Sequence, residues 1–228
     1  MAKGRRKQLE RMDRMEALEQ KEIRPRFHFP ELPLANTGQL SVKRLSVGYY
    51  YPILSDMDFT IKGGQKVVIT GFNGIGKSTL LKTLVGQIPS MNGSFHFSEQ
   101  VILEYFEQDM IWPEGTKTPV QIISDANPHM TVKEVRKSLA RCGISNQHAM
   151  QPVGTLSGGE QAKVKMCLLT LRPCNFLIMD EPTNHLDILA KEALRDALME
   201  FSGAVLLVSH EEAFYKDWAH RVINIEKH

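Results

Sequence analysis

The spacing of apolar and polar positions changes character along the chain. Over residues 3–22, Leu9, Met12, Met15 and Leu18 recur every third position among charges, with no Pro and no Gly after Gly4, which predicts an exposed amphipathic helix. Pro25, Pro30 and Pro33 end that pattern and predict an extended linker reaching about Gly38. LSVKRLSVGY and MDFTI follow as short β-rich segments with polar residues interspersed, as in an antiparallel layer. KVVIT at 66–70 differs from them: it is a β-branched run that stops directly at Gly71, the pattern of a buried strand feeding a loop. From about 115 to 165 helical spacing takes over, with Thr131 as a candidate N-cap for Val132, Val135 and Leu139, and predicts a small helical lobe. Beyond it the expectation is a strand at FLIMD, a helix over about 189–201, a strand at AVLLVS, a short helix after His210 and a closing strand at RVINIE. This alternation predicts an α/β core with a largely parallel sheet.

Length and composition narrow the picture. At 228 residues with 42% hydrophobic content, the chain is sized for one principal domain. No apolar run approaches the roughly 20 residues of a membrane-spanning helix, and charges stand where a signal peptide would be apolar, so no membrane insertion and a cytoplasmic location are expected. Cys142, Cys167 and Cys174 fall in no disulfide or metal-ligand spacing and are read as buried or incidental thiols. The net charge of +2 is unevenly spread: residues 1–26 hold nine Lys/Arg against five Asp/Glu, and the rest hold 19 against 21. A basic appendage of this kind points to a polyanionic partner, although a charge-rich helix also serves as a simple solvated leader.

GFNGIGKS at 71–78 fits the GxxxxGK[ST] phosphate-loop pattern between a buried strand and the apolar segment TLLKTLVG. Gly71, Gly74 and Gly76, with Phe72, Asn73 and Ile75 between them, let successive N–H groups face inward as a nest for phosphate oxygens at a helix N-terminus. Lys77 is then placed to reach the β- and γ-phosphates of ATP, and Ser78, with Thr79 beside it, to offer a hydroxyl to Mg²⁺. In FLIMDE, Asp180 at the strand end is the candidate for the Mg²⁺ shell. Glu181 is the candidate base or water-positioning group.

LSGGE at 156–160, upstream of FLIMDEP, makes the sequence resemble the ATP-binding cassette (ABC) ATPases. The resemblance covers about residues 40–226. It implies an α/β P-loop fold over 39–228 with a mixed central sheet, an antiparallel β layer and a small helical lobe. It also implies that Ser157, Gly158, Gly159 and Glu160 face nucleotide held by a second cassette arranged head to tail. Tyr49 resembles the aromatic that stacks on adenine, with Tyr50 and Tyr51 as substitutes; Gln108 resembles the glutamine that senses Mg²⁺. NHLD at 184–187 resembles the D-loop, and His210 resembles the switch histidine at the γ-phosphate.

LSGGEQAKV joined to DEPTNHLD, behind a basic helix, further resembles the ABC-F subfamily, whose two cassettes are joined by a helical linker and act on ribosomes during translation. On that resemblance residues 1 to about 25, within a basic helix and Pro-containing stretch over 1–38, are the end of the linker, with rRNA or tRNA as its partner, and the globule is the second cassette. The rival expectations are the nucleotide-binding subunit of an ABC membrane transporter and a cassette that binds nucleotide without turnover.

Overall fold

A computed structural model describes residues 24–33 and 35–227; the helix expected over 3–22 lies outside the described residues. Among the described residues eight strands form two sheets. β1 (Gly38–Gly48), β2 (Pro52–Lys62) and β4 (Asn92–Phe97) make an antiparallel layer in the order β2-β1-β4. β3 (Lys66–Thr70), β5 (Leu103–Phe106), β6 (Phe176–Asp180), β7 (Ala204–Val208) and β8 (Arg221–Asn224) make the central sheet in the order β5-β6-β7-β3-β8. Every pairing in that sheet is parallel. The centre is therefore more uniform than the mixed sheet expected, and antiparallel pairing is confined to the outer layer.

The near-continuous apolar runs have a simple cause. Val68, Leu177, Met179, Val205 and Leu207 face one hydrophobic cluster, shared with the helices, while Val67, Ile69, Phe176, Ile178, Leu206 and Val208 face another, shared with the antiparallel layer. Side chains alternate across a strand, so a sheet covered on both faces needs apolar residues at every position. Each such side chain contributes about 1.5–3 kcal/mol.

The helices are α1 (Lys77–Leu84), α2 (Pro119–Ala126), α3 (Val132–Arg141), α4 (Gly158–Leu169), α5 (Ile188–Glu200) and the single turn α6 (Glu212–Tyr215). Thr118, Thr131 and Ser157 each begin a helix with a capping box, closed by Gln121, Glu134 and Glu160. The closing strand stops at Asn224 and Ile225–Lys227 turn away as a 3-10 helix, shorter than the RVINIE strand expected. All three cysteines are free and buried. Among the described residues no helix is long and apolar enough to cross a membrane.

The Pro-containing segment is extended, but it is not loose. Phe27 and Phe29 are buried in the cluster on the helical side, and Phe29 meets Phe201 edge-on at 6.0 Å between ring centroids. The backbone joins in, with Leu32 N–H donating to Cys174 O at 2.9 Å and Cys174 N–H to Pro30 O at 3.0 Å. Glu31 accepts from the amide and hydroxyl of Ser202 at 2.8 and 2.6 Å. Prolines spaced as here stop a helix, while the i, i+2 aromatics between them make one side of an extended chain apolar enough to bury.

Candidate functional site

β3 delivers the chain into the 71–76 loop, and α1 begins at Lys77. Gly76 stands at the N-cap with φ of 109° and offers no side chain to the first amides of α1, which therefore stay available to an anion. A Cβ there would also come 2.8 Å from Ile53 Cγ2, so this position tolerates only glycine. Gly74, at φ 86°, has nothing within 4 Å of the place a Cβ would take, so its backbone is open to approach. The Lys77 ammonium lies across the loop and donates to Gly71 O at 2.7 Å and Phe72 O at 3.1 Å.

β6, the next strand but one in the sheet, ends in Asp180 beside this loop. Its carboxylate is fully buried, and among the described residues neither oxygen meets a hydrogen-bond partner in good geometry. Burial pushes its pKa up to about 6; the nearby Ser78 hydroxyl opposes this, and the neighbouring Glu181 adds to the rise. A buried, partnerless carboxylate facing a hydroxyl is poorly satisfied by protein alone and suits a hard cation with oxygen ligands. Among the described residues no group of three or more His, Cys, Asp or Glu gathers to hold an ion by itself. Ser78 and Asp180, with the Gln108 amide across the cavity, fit Mg²⁺, which binds through few carboxylates and takes phosphate and water for the rest.

Glu181 has φ of 47°, an unusual value for a non-glycine residue, and its N–H donates to Val208 O at 3.0 Å. That turn brings the carboxylate to His210, with Oε2 at 2.9 Å from Nδ1. Glu181 is buried and His210 half-exposed. Lys191 grips the adjacent Glu211 through both oxygens at 2.8 Å, tying the residue after His210 to α5. Loop, carboxylate and imidazole surround one cavity of about 400 Å³.

A family model described as ABC transporter matches residues 54–184. The chain belongs to the ATP-binding cassette family. It is 41% identical to an uncharacterized ABC transporter ATP-binding protein, YfmM, of Bacillus subtilis, over 99% of this chain and 43% of that protein. It is 35% identical to ABC transporter F family member 2 of Arabidopsis thaliana, over 96% of this chain and 33% of that protein. The chain thus spans less than half the length of the curated relatives it matches. Among solved structures, a dimeric ATP-binding cassette in a post-hydrolysis state with ADP and Pi shares the fold at TM-score 0.68 and 19% identity, covering 82% of this chain and 94% of that one.

In this cassette Asn73, Gly74, Gly76, Lys77, Ser78 and Thr79 line the cavity together with Gln108, Glu181 and His210. Asn184 of the NHLD turn lines it too; the D-loop resemblance took in this residue without assigning it to the cavity. Three loop residues do not line it: Gly71 and Ile75 lie beneath, against Ile225, and Phe72 is exposed. Tyr49 stands 59% exposed in the turn between β1 and β2, outside the cavity lining, beside the still more exposed Tyr50 and Tyr51.

The signature segment lies apart from this cavity, at the start of α4. The Ser157 hydroxyl donates to Glu160 Oε2 at 2.9 Å and accepts from the Glu160 amide at 3.3 Å. His185, at φ 69°, lies over the two glycines, so that a Cβ on Gly159 would come 2.6 Å from its carbonyl oxygen. Lys163 binds Asp187 at 2.5 Å, and Asp187 caps α5 by accepting from Ala190 N–H at 2.8 Å. Although burial opposes it, the Lys163 ammonium and the Ala190 amide hold the Asp187 carboxyl below its ordinary pKa.

Proposed function

We propose that the chain binds Mg-ATP in the 71–79 loop and hydrolyses it, as one cassette of an ABC-F-type ATPase that acts on ribosomes in the cytoplasm. The observation that carries the catalytic half is the 2.9 Å contact between Glu181 and His210 at the mouth of the phosphate cavity. Phosphoryl transfer depends mainly on alignment and charge stabilisation. Loop amides and Lys77 hold the phosphates, and Glu181 orients and deprotonates the attacking water. His210, 2.9 Å from Glu181 through Nδ1, holds that carboxylate in place and stands beside the terminal phosphate. Ser78, Asp180 and Gln108 are the residues that would hold Mg²⁺, which would supply charge neutralisation at the phosphate. Stacking of adenine on Tyr49 completes the nucleotide site.

Ser157, Gly158, Gly159 and Glu160 serve the nucleotide of a second cassette bound head to tail, which fits their position away from the chain's own cavity. Support for the ribosomal role comes from relatives named as F family members in plants and mammals, at 34–39% identity, and from the basic residues 1–26, whose charge suits RNA phosphates. The second reading, a transporter's nucleotide-binding subunit, draws on the relative named as an ABC transporter ATP-binding protein.

Two measurements test the proposal. Calorimetry should detect Mg-ATP uptake that Lys77→Ala abolishes; equal uptake by that variant would end the nucleotide reading. The full-length protein carrying Glu181→Gln should co-sediment with ribosomes when ATP is present. Recovery with a membrane permease instead would favour the transporter.

A further inference from the structure

The residues on either side of Gln108 are held by two lysines from different helices. Lys82, on α1, places Nζ 3.4 Å from Glu107 Oε1 and 3.4 Å from Asp109 Oδ2. Lys165, on α4, donates to the main-chain carbonyls of the same two residues, to Glu107 O at 3.1 Å and to Asp109 O. The first lysine thus grips the flanking side chains and the second the flanking backbone. Trp112 adds a further tie to α4, its indole N–H donating to Gln161 Oε1 at 2.9 Å.

Stability alone accounts poorly for this arrangement. Partly exposed ion pairs contribute about 0–1 kcal/mol, and burial pushes the Lys165 pKa down, a penalty that a solvated lysine does not bear. What the two grips do accomplish is to fix the backbone at both neighbours of Gln108, whose side chain lines the phosphate cavity. Lys82 belongs to the helix that begins with Lys77, and Lys165 to the helix that begins at the signature glycines.

We propose that Lys82 and Lys165 are positioning residues that hold Gln108 at the phosphate cavity, Lys82 through the flanking carboxylates and Lys165 through the flanking carbonyls. The inference rests on the reading of that cavity as an Mg-ATP site. A glutamine on a short connection samples many backbone states, and holding both neighbours limits them to those that keep the amide oxygen toward the metal.

The test is a Mg²⁺ titration of ATP binding, followed by calorimetry on the whole chain. Lys165→Met and Lys82→Met should each raise the Mg²⁺ concentration needed for half-maximal binding by about tenfold, while affinity for metal-free ATP stays within about twofold of the parent. Lys165→Arg, which keeps a cationic donor, should recover most of the loss. On a Gln108→Ala background, Lys165→Met should add little, because both act through one group. Without any ligand, amide exchange over residues 103–112 should quicken in Lys165→Met. Should that variant fail to fold, Lys82→Met carries the same titration. An unchanged Mg²⁺ requirement in the lysine variants, or a full additive loss in the double variant, would overturn the positioning role alone. A parent chain that takes up no Mg-ATP would overturn the nucleotide reading and this inference with it.

Discussion

Nδ1 of His210 lies 2.9 Å from Oε2 of Glu181, although the two residues end different strands of the central sheet. β6 and β7 are parallel neighbours with Asp180 opposite Val208, so the residues just past each strand end are delivered to the same edge. His210→Ala leaves the Glu181 carboxylate without its only side-chain partner among the described residues. ATP turnover is expected to fall by about 10²-fold or more, with Mg-ATP binding changed only a few-fold. Single-turnover kinetics beside equilibrium binding separate the two effects.

Gly159→Ala puts a methyl group 2.6 Å from the carbonyl oxygen of His185. Backbone meets backbone there, so relief requires the NHLD turn or α4 to shift. A loss of about 1–3 kcal/mol is expected, seen as a lowered midpoint in urea. Uptake of Mg-ATP at the chain's own loop should survive at a ligand concentration well above saturation.

Asp180 sets a pH dependence of known sign. Its pKa is higher in the folded protein, at about 6, than the ordinary value of 3.8, so the folded state holds this proton more tightly. Its stabilising contribution is fully present below about pH 3.8 and is lost as the pH rises through about 6. Asp180→Asn removes the buried charge, and a stabilisation on the order of 2–3 kcal/mol at pH 7 is expected. Thermal melting without nucleotide should show the variant ahead of the parent at pH 7 and the gap closing at pH 4. The same substitution should abolish the gain in ATP affinity that Mg²⁺ brings.

Phe29→Ala tests whether the proline-rich stretch is structural. The ring is 1% exposed and meets Phe201 edge-on. A cavity of that size costs about 3–5 kcal/mol. Chemical denaturation should register it, whereas a tether with no share in the core would leave the midpoint unmoved.

The 71–78 loop was legible because its pattern is local: Asn73, Gly74, Gly76, Lys77 and Ser78 lie close in sequence and line one cavity, and the strand before them carries the apolar run Val67, Val68 and Ile69. β3, β6 and β7 were legible because they are apolar and buried on both faces, whereas β5, only partly buried, was not singled out. What the sequence left hidden depends on contacts between distant segments. Phe27 and Phe29 carry an i, i+2 apolar signal, but three prolines around them spoke for a linker and masked it. Asn184 reaches the cavity only because the turn after β6 folds back, and the grips of Lys82 and Lys165 on Glu107 and Asp109 join helices more than 70 residues apart. The surroundings of Gly158 and Gly159 were half seen: the family resemblance singled these residues out, and only the fold places His185 above them.

The NHLD turn has two neighbours in one molecule. Asn184 borders the cavity, while His185 rests on Gly158 and Gly159, the glycines proposed to face a second cassette. On the proposed head-to-tail arrangement, a ligand that moved Asn184 would reach the companion-facing surface through the adjoining residue. In a head-to-tail pair the two chambers would not load independently, and a saturation curve steeper than a simple hyperbola is the outcome this shared hinge imposes.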